Sequence, residues 1–158
     1  LEDVEVPACD ANEYVEDIRR TDHIRMNNLA SYCPAANDTL EHVVELNMVK
    51  LFLNSDDSSV TIFHCDTIRY LNTIPNFNCW PSEENRKKSV TVNRVMRGDQ
   101  SNCNAFDQAV IRLVNERFQL LVLDTSDSWY DRYIHRDLLD MKAWWKPLAD
   151  AACQTVSE

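Results

Sequence analysis

The chain has 158 residues, a formal net charge of −10, and one glycine beside five prolines and six cysteines. That length suits one ordinary domain over residues 1–158, and 44% hydrophobic against 27% charged residues is a globular rather than a disordered balance. The negative charge repels nucleic acid and anionic lipid, which argues against both as whole-molecule partners, and no apolar run reaches the ~18–20 residues that membrane insertion requires.

The lone glycine is the most restrictive feature. Tight hairpins and bulges draw on glycine for positive φ. An all-α fold is therefore predicted, a single-domain, disulfide-stapled helical bundle of about five to six helices. The same scarcity excludes Walker loops, dinucleotide-binding turns and the G-x-S-x-G elbow, each of which needs several glycines.

The first helix is predicted from near Asp10 toward Cys33, with Ala11, Val15, Ile18, Met26 and Leu29 on one stripe. Thr21-Asp22 is its weak point and Pro34 its stop. The second is predicted to start at Asp38, with Glu41 three positions on as in a capping box. It runs through Leu40, Val43, Val44, Met48, Leu51 and Phe52 to Asn54. After the polar "SDDSS", a third helix carries Val60, Phe63, Cys65, Ile68 and Leu71 and ends before Pro75; "SVTIF" also reads as a short strand. "IPNFNCWP" reads as irregular. A fourth helix begins around Ser82, with Glu83 and Glu84 in its first turn where the macrodipole favours them, and stops at Gly98. The fifth, Asn104 to Leu123, has Phe106, Ala109, Val110, Leu113, Val114, Phe118 and Leu121 at helical spacing. The sixth runs from Asp127 toward Cys153, with Tyr130, Ile134, Leu138, Met141, Trp145, Leu148 and Ala152 facing inward and Pro147 expected to bend or split it.

Cys9, Cys33, Cys65, Cys79, Cys103 and Cys153 are dispersed with no C-x-x-C pair. That spacing argues against zinc and thioredoxin-like chemistry and for three disulfides in an oxidising compartment. Asn37-Asp38-Thr39 is an N-glycosylation acceptor that points the same way. The chain shows neither an initiator methionine nor a signal peptide and reads as a mature or trimmed segment of a secreted, extracellular protein. Antiparallel alternation of helices brings Cys9, Cys103 and Cys153 near one end and Cys33 and Cys79 near the other. The favoured pairing is Cys33–Cys79 and Cys103–Cys153, leaving Cys9–Cys65; a local Cys65–Cys79 bridge is the competing arrangement.

Arg86, Lys87, Lys88, Arg94 and Arg97 form a basic island in this acidic chain. On a helix, Arg86, Lys87, Arg94 and Arg97 fall within an arc of about 100°, opposite Val92, Val95 and Met96. Such a face suits an acidic receptor surface or a sulfated glycan, or else is balanced by the protein's own carboxylates. Arg97-Gly98-Asp99 resembles the integrin-recognition tripeptide, in which the aspartate completes a receptor-bound divalent cation site and the arginine reaches an acidic groove. The resemblance covers these three residues. Their position also explains them without a partner, because Gly98 sits where a helix C-cap glycine belongs.

Catalysis is not expected. His23, His42, His64 and His135 are scattered, and no motif orders them with a nucleophile. Asp127, Asp131 and His135 make one i, i+4, i+8 stripe able to hold a metal, and His42 with Glu45 share a helical spacing; both read better as surface ion pairs, so no metal or other cofactor is assigned. Trp129, Tyr133, Trp144 and Trp145 cluster in the last helix, with Trp145 inward and Trp144 about 100° round, placed as an interface anchor beside Lys142 and Lys146 or as core packing. The expected function is protein binding, as a receptor ligand, adhesion module or host-directed antagonist. The alternatives are a carrier of a small hydrophobic ligand between helices and integrin antagonism through Arg97-Gly98-Asp99.

Overall fold

Helices dominate the computed structural model, which describes residues 10–21, 32–33, 38–55, 65–123 and 132–153. Helix α1 (Ala11–Thr21) starts where Oδ1 of Asp10 accepts the Glu13 N–H at 3.1 Å, satisfying a donor that has no partner within the helix. It buries Ala11 and Val15 and reaches the predicted weak point at Thr21. Met26 and Leu29, "SVTIF", Trp129 and Tyr130 lie outside the described residues.

The largest departure from expectation is at Asp38–His42, which forms a strand, β1, and not the start of a helix. It pairs antiparallel with β2 (Phe77–Pro81), the segment that reads as irregular, with Leu40 opposite Cys79 and Thr39 opposite Trp80. Only Leu40 of the five β1 residues is buried, in a small cluster with Cys33 and Phe77 that the Cys33–Cys79 disulfide closes. A capping side chain is worth about 1 kcal/mol, too little to hold a helix start against a full strand ladder and a covalent bridge. The scarcity of glycine does not forbid this sheet. Its strands are joined through α2 (Leu46–Leu53) and α3 (Cys65–Leu71) rather than by a tight turn, so no positive φ is needed.

Asn76 ends the 3₁₀ turn Ile74–Asn76 and is fully buried. Its Oδ1 accepts the Val44 N–H at 2.9 Å, and its Nδ2 donates to the Val44 carbonyl at 2.9 Å and the Leu71 carbonyl at 2.8 Å. One side chain thus replaces the ladder hydrogen bonds that β1 loses beyond His42, and it ties α3 to them.

Helix α4 (Ser82–Met96) continues from β2 without a break, followed by α5 (Ala105–Leu123) and α6 (Arg132–Ala152). Helix α6 contacts α2, α3, α4 and α5, and its Ile134, Leu138, Met141 and Trp145 sit in the main core. Polar contacts between elements help fix its rotation, among them Thr67 Oγ1 donating to the buried Asp137 carboxylate at 2.6 Å and Trp145 Nε1 donating to Asn115 Oδ1 at 2.7 Å. Pro147 neither stops nor splits α6. It lies with Ala143 on the solvent side, where the carbonyl deprived of its helical donor can be hydrated. The buried stripe of α5 is Val110, Ile111, Val114, Phe118, Leu121 and Val122, so Ala109, expected inside, is exposed.

Two of the predicted disulfides are present, Cys33–Cys79 and Cys103–Cys153. Cys65 is also disulfide-bonded, and the bridge to Cys79 is excluded; Cys9 lies outside the described residues. Among the described residues no helix is long and apolar enough to cross a membrane.

Candidate functional site

The five cations of the basic island have different fates. Glu83 and Glu84 in the first turn and Arg94 in the last suit the dipole of α4, while Val92, Val95 and Met96 face the core. That rotation carries Lys88 inward with them. Its side chain is 1% exposed, and Nζ donates to the His42 carbonyl at 2.7 Å, the Val43 carbonyl at 3.0 Å and Glu45 Oε2 at 2.8 Å. All three ammonium donors are satisfied, and the charge stands 5.3 Å from the Trp80 ring centroid. Burial lowers its pKa even though Glu45 works the other way. Glu45 is therefore the partner of Lys88 and not of His42, whose Nε2 lies 2.8 Å from Asn72 Oδ1.

Arg94 is half-buried, with Nη2 3.4 Å from Asp107 Oδ2 and a buried Nε that has no acceptor. Asp107 also accepts from Thr91 Oγ1 at 2.8 Å and from the Asn104 N–H at 3.3 Å, while its own N–H donates to Asn104 Oδ1 at 2.8 Å, a reciprocal cap on α5. Desolvation pushes the Asp107 carboxyl up, but Thr91, Asn104 and Arg94 together outweigh it and hold the pKa below the usual carboxylate value.

At the end of α4, Gly98 has φ +76°. The Gly98 N–H donates to the Val95 carbonyl and the Asp99 N–H to the Arg94 carbonyl, at 3.0 and 3.1 Å, which is the Schellman pattern. Arg97 keeps helical backbone as the C-cap and pairs with Asp99 at 3.1 Å. The loop is tied down behind the tripeptide, where the Ser101 N–H donates to the Ala152 carbonyl at 3.0 Å and Cys103 is bonded to Cys153.

Arg86 and Lys87 remain. Both are exposed and neither pairs with a carboxylate among the described residues. They stand at the lip of a groove of about 420 Å³ between α4 and the first turn of α5, whose apolar part is Val90 and Phe106 and whose far end is Arg94 with Asp107. Val90 is 61% exposed, an unusual position for valine on a cationic face. Neither apolar residue stands out as functional in the sequence. Phe106 fits the α5 stripe but lies at its margin, partly buried against the core, and Val90 is legible only as the apolar residue one helical turn beyond Arg86 and Lys87.

Trp144 is not brought to this site. It is half-buried, with its ring 5.6 Å from that of Phe52 in α2, which makes it the edge of the core. A second groove of about 240 Å³ between α5 and α6 is bordered by Arg112, Lys142 and Lys146 over Trp145. His135 Nδ1 lies 3.1 Å from the Val122 carbonyl. Asn37, Asp127, Asp131, His23 and His64 lie outside the described residues. Comparison with protein-family models, curated proteins and solved structures finds no match to this chain.

Proposed function

We propose that the chain is a secreted, disulfide-stapled helical bundle that acts as a binding module and not as an enzyme, taking an acidic receptor or cell-surface protein on the outer face of α4. The observation that carries this reading is the state of Arg86 and Lys87. Lys88, Arg94 and Arg97 each have a carboxylate partner, whereas these two neighbouring cations have none among the described residues of a chain whose net charge is −10. Two adjacent exposed cations in an acidic chain favour the approach of an acidic partner at this face, beyond the Glu83 and Glu84 carboxylates of the first turn. The bridged cysteines support an extracellular setting. The hydrophobic-carrier reading gains nothing from the two grooves, because both are bordered by charged groups that an apolar ligand would desolvate without compensation.

The test is binding of the fluorescently labelled protein to a panel of recombinant extracellular domains and to intact cells. Arg86→Glu with Lys87→Glu should remove most binding, and added salt should weaken the wild type in parallel. Salt-insensitive binding that survives the double reversal would refute the assignment.

A further inference from the structure

Val90 and Phe106 ask for something that a purely charged partner does not supply. Resting on the protein-binding reading above, we propose that the groove between α4 and α5 seats an extended acidic segment of the partner protein, with an aromatic or large aliphatic side chain between Val90 and Phe106 and an acidic side chain two residues away against Arg86 and Lys87. The spacing follows from both backbones. Arg86 and Lys87 precede Val90 by one turn of α4, so their side chains lie about 5–6 Å from it along the face. An extended peptide presents residues two apart on the same side at roughly 6.6 Å. An acidic residue, any residue and an apolar residue in succession therefore match the groove.

Charge decides the position of the acidic residue within the groove. At the far end Arg94 is already matched by Asp107, with Thr91 and Asn104 completing that carboxylate's hydrogen bonds. Glu84 lies on the other side of the cations and would repel a second acidic group placed there. The favourable seat is thus confined to Arg86 and Lys87. A sulfated glycan would engage the same two cations but has no apolar group for Val90, which would stay 61% exposed.

Fluorescence anisotropy with the intact, oxidised protein tests the inference. The probe is a labelled Ser/Gly peptide carrying one phenylalanine with glutamate two residues to either side; companions replace phenylalanine by serine or move the glutamates next to it, and a heparin octasaccharide serves as competitor. Binding to the parent peptide should weaken about tenfold when its phenylalanine is replaced, and by a similar factor in the Val90→Ser protein, whose exposed position leaves the fold intact by circular dichroism. Moving the glutamates should also weaken it. Equal binding of all three peptides, absence of phenylalanine-dependent binding, or heparin affinity that alone responds to Arg86→Glu and Lys87→Glu overturns the groove. If those reversals abolish cell-surface binding while Val90→Ser leaves it unchanged, the face acts by charge alone and the broader protein-binding reading stands. If cell-surface binding ignores the reversals, that reading falls as well.

Discussion

Arg97 and Asp99 close an ion pair of 3.1 Å around Gly98, so the two charged members of the tripeptide are turned toward each other. Gly98 at φ +76° makes the turn possible. A Cβ at this position would meet only Leu148 Cδ2 at 4.0 Å, so the penalty for a side chain lies in the backbone and not in packing. Gly98→Ala should destabilise the protein by about 1–2 kcal/mol and Gly98→Asn by less, since asparagine tolerates the left-handed region. Urea midpoints measure both. The exposed Arg97–Asp99 pair is itself worth little, so Asp99→Glu should leave stability unchanged. It should leave cell adhesion unchanged too, because the C-cap conformation does not present the tripeptide as an extended ligand.

Lys88→Met removes the donor of three hydrogen bonds and leaves Glu45 and two carbonyls unmatched. The expected loss is about 2–4 kcal/mol, below the upper range for broken buried pairs because Glu45 is 17% exposed and can be rehydrated. A pH dependence accompanies it. Burial lowers the folded-state pKa of Lys88, so above that value the unfolded chain holds more protons than the folded one. Stability from this group then rises with pH until the ordinary lysine range is reached. The gap between wild type and Lys88→Met should widen as pH rises above the lowered folded value toward that range in paired urea titrations. A constant gap would mean that burial does not perturb the ammonium.

The inward turn of Lys88 shows what the sequence made legible and what it did not. Helical spacing correctly set it apart from the arc of Arg86, Lys87, Arg94 and Arg97, because position 88 falls on the side of Val92 and Val95. Helices α4, α5 and α6 and two disulfides follow from periodicity, capping and alternation in the same way, all of them properties of segments or their ends. Strand β1 does not, because it exists through pairing with residues far along the chain, and a local capping pattern at Asp38 points elsewhere. Asn76 is hidden for the same reason, since nothing near it in sequence marks a fully buried amide. The groove needed both kinds of information. Its cations are a sequence pattern, but the approach of Phe106 to Val90 depends on how the α4–α5 connection folds.

Asp107 makes a prediction of opposite pH sign. Its folded pKa is held below the ordinary carboxylate value, so its contribution is complete above the unfolded value and is lost as pH falls through the folded one. Asp107→Asn keeps the shape of the α5 cap but removes the charge facing Arg94. It should lower stability by about 1–3 kcal/mol at neutral pH, and the difference from wild type should shrink as the solution is acidified. Thermal unfolding of both proteins over the acid range checks this. A difference that persists in strong acid would indicate lost packing and not lost charge.

The bridges Cys33–Cys79 and Cys103–Cys153 span 46 and 50 residues, in very different surroundings. The first closes a small cluster at the sheet, while the second fastens the α4–α5 loop to the end of α6 beside the Ser101–Ala152 hydrogen bond. If a disulfide acts by restricting the unfolded chain, loop length alone sets its effect, and these two lengths differ by about 0.1 kcal/mol in closure entropy. Replacing each pair by serine should then cost nearly the same, about 2–4 kcal/mol. If native contacts dominate instead, Cys33→Ser with Cys79→Ser should cost more, because that bridge is itself part of the buried cluster with Leu40 and Phe77, whereas the second loop keeps its backbone bond. Urea midpoints of the two double variants, with amide exchange at Ser101 to confirm that the loop remains docked, separate the two accounts, and near-equal losses are expected.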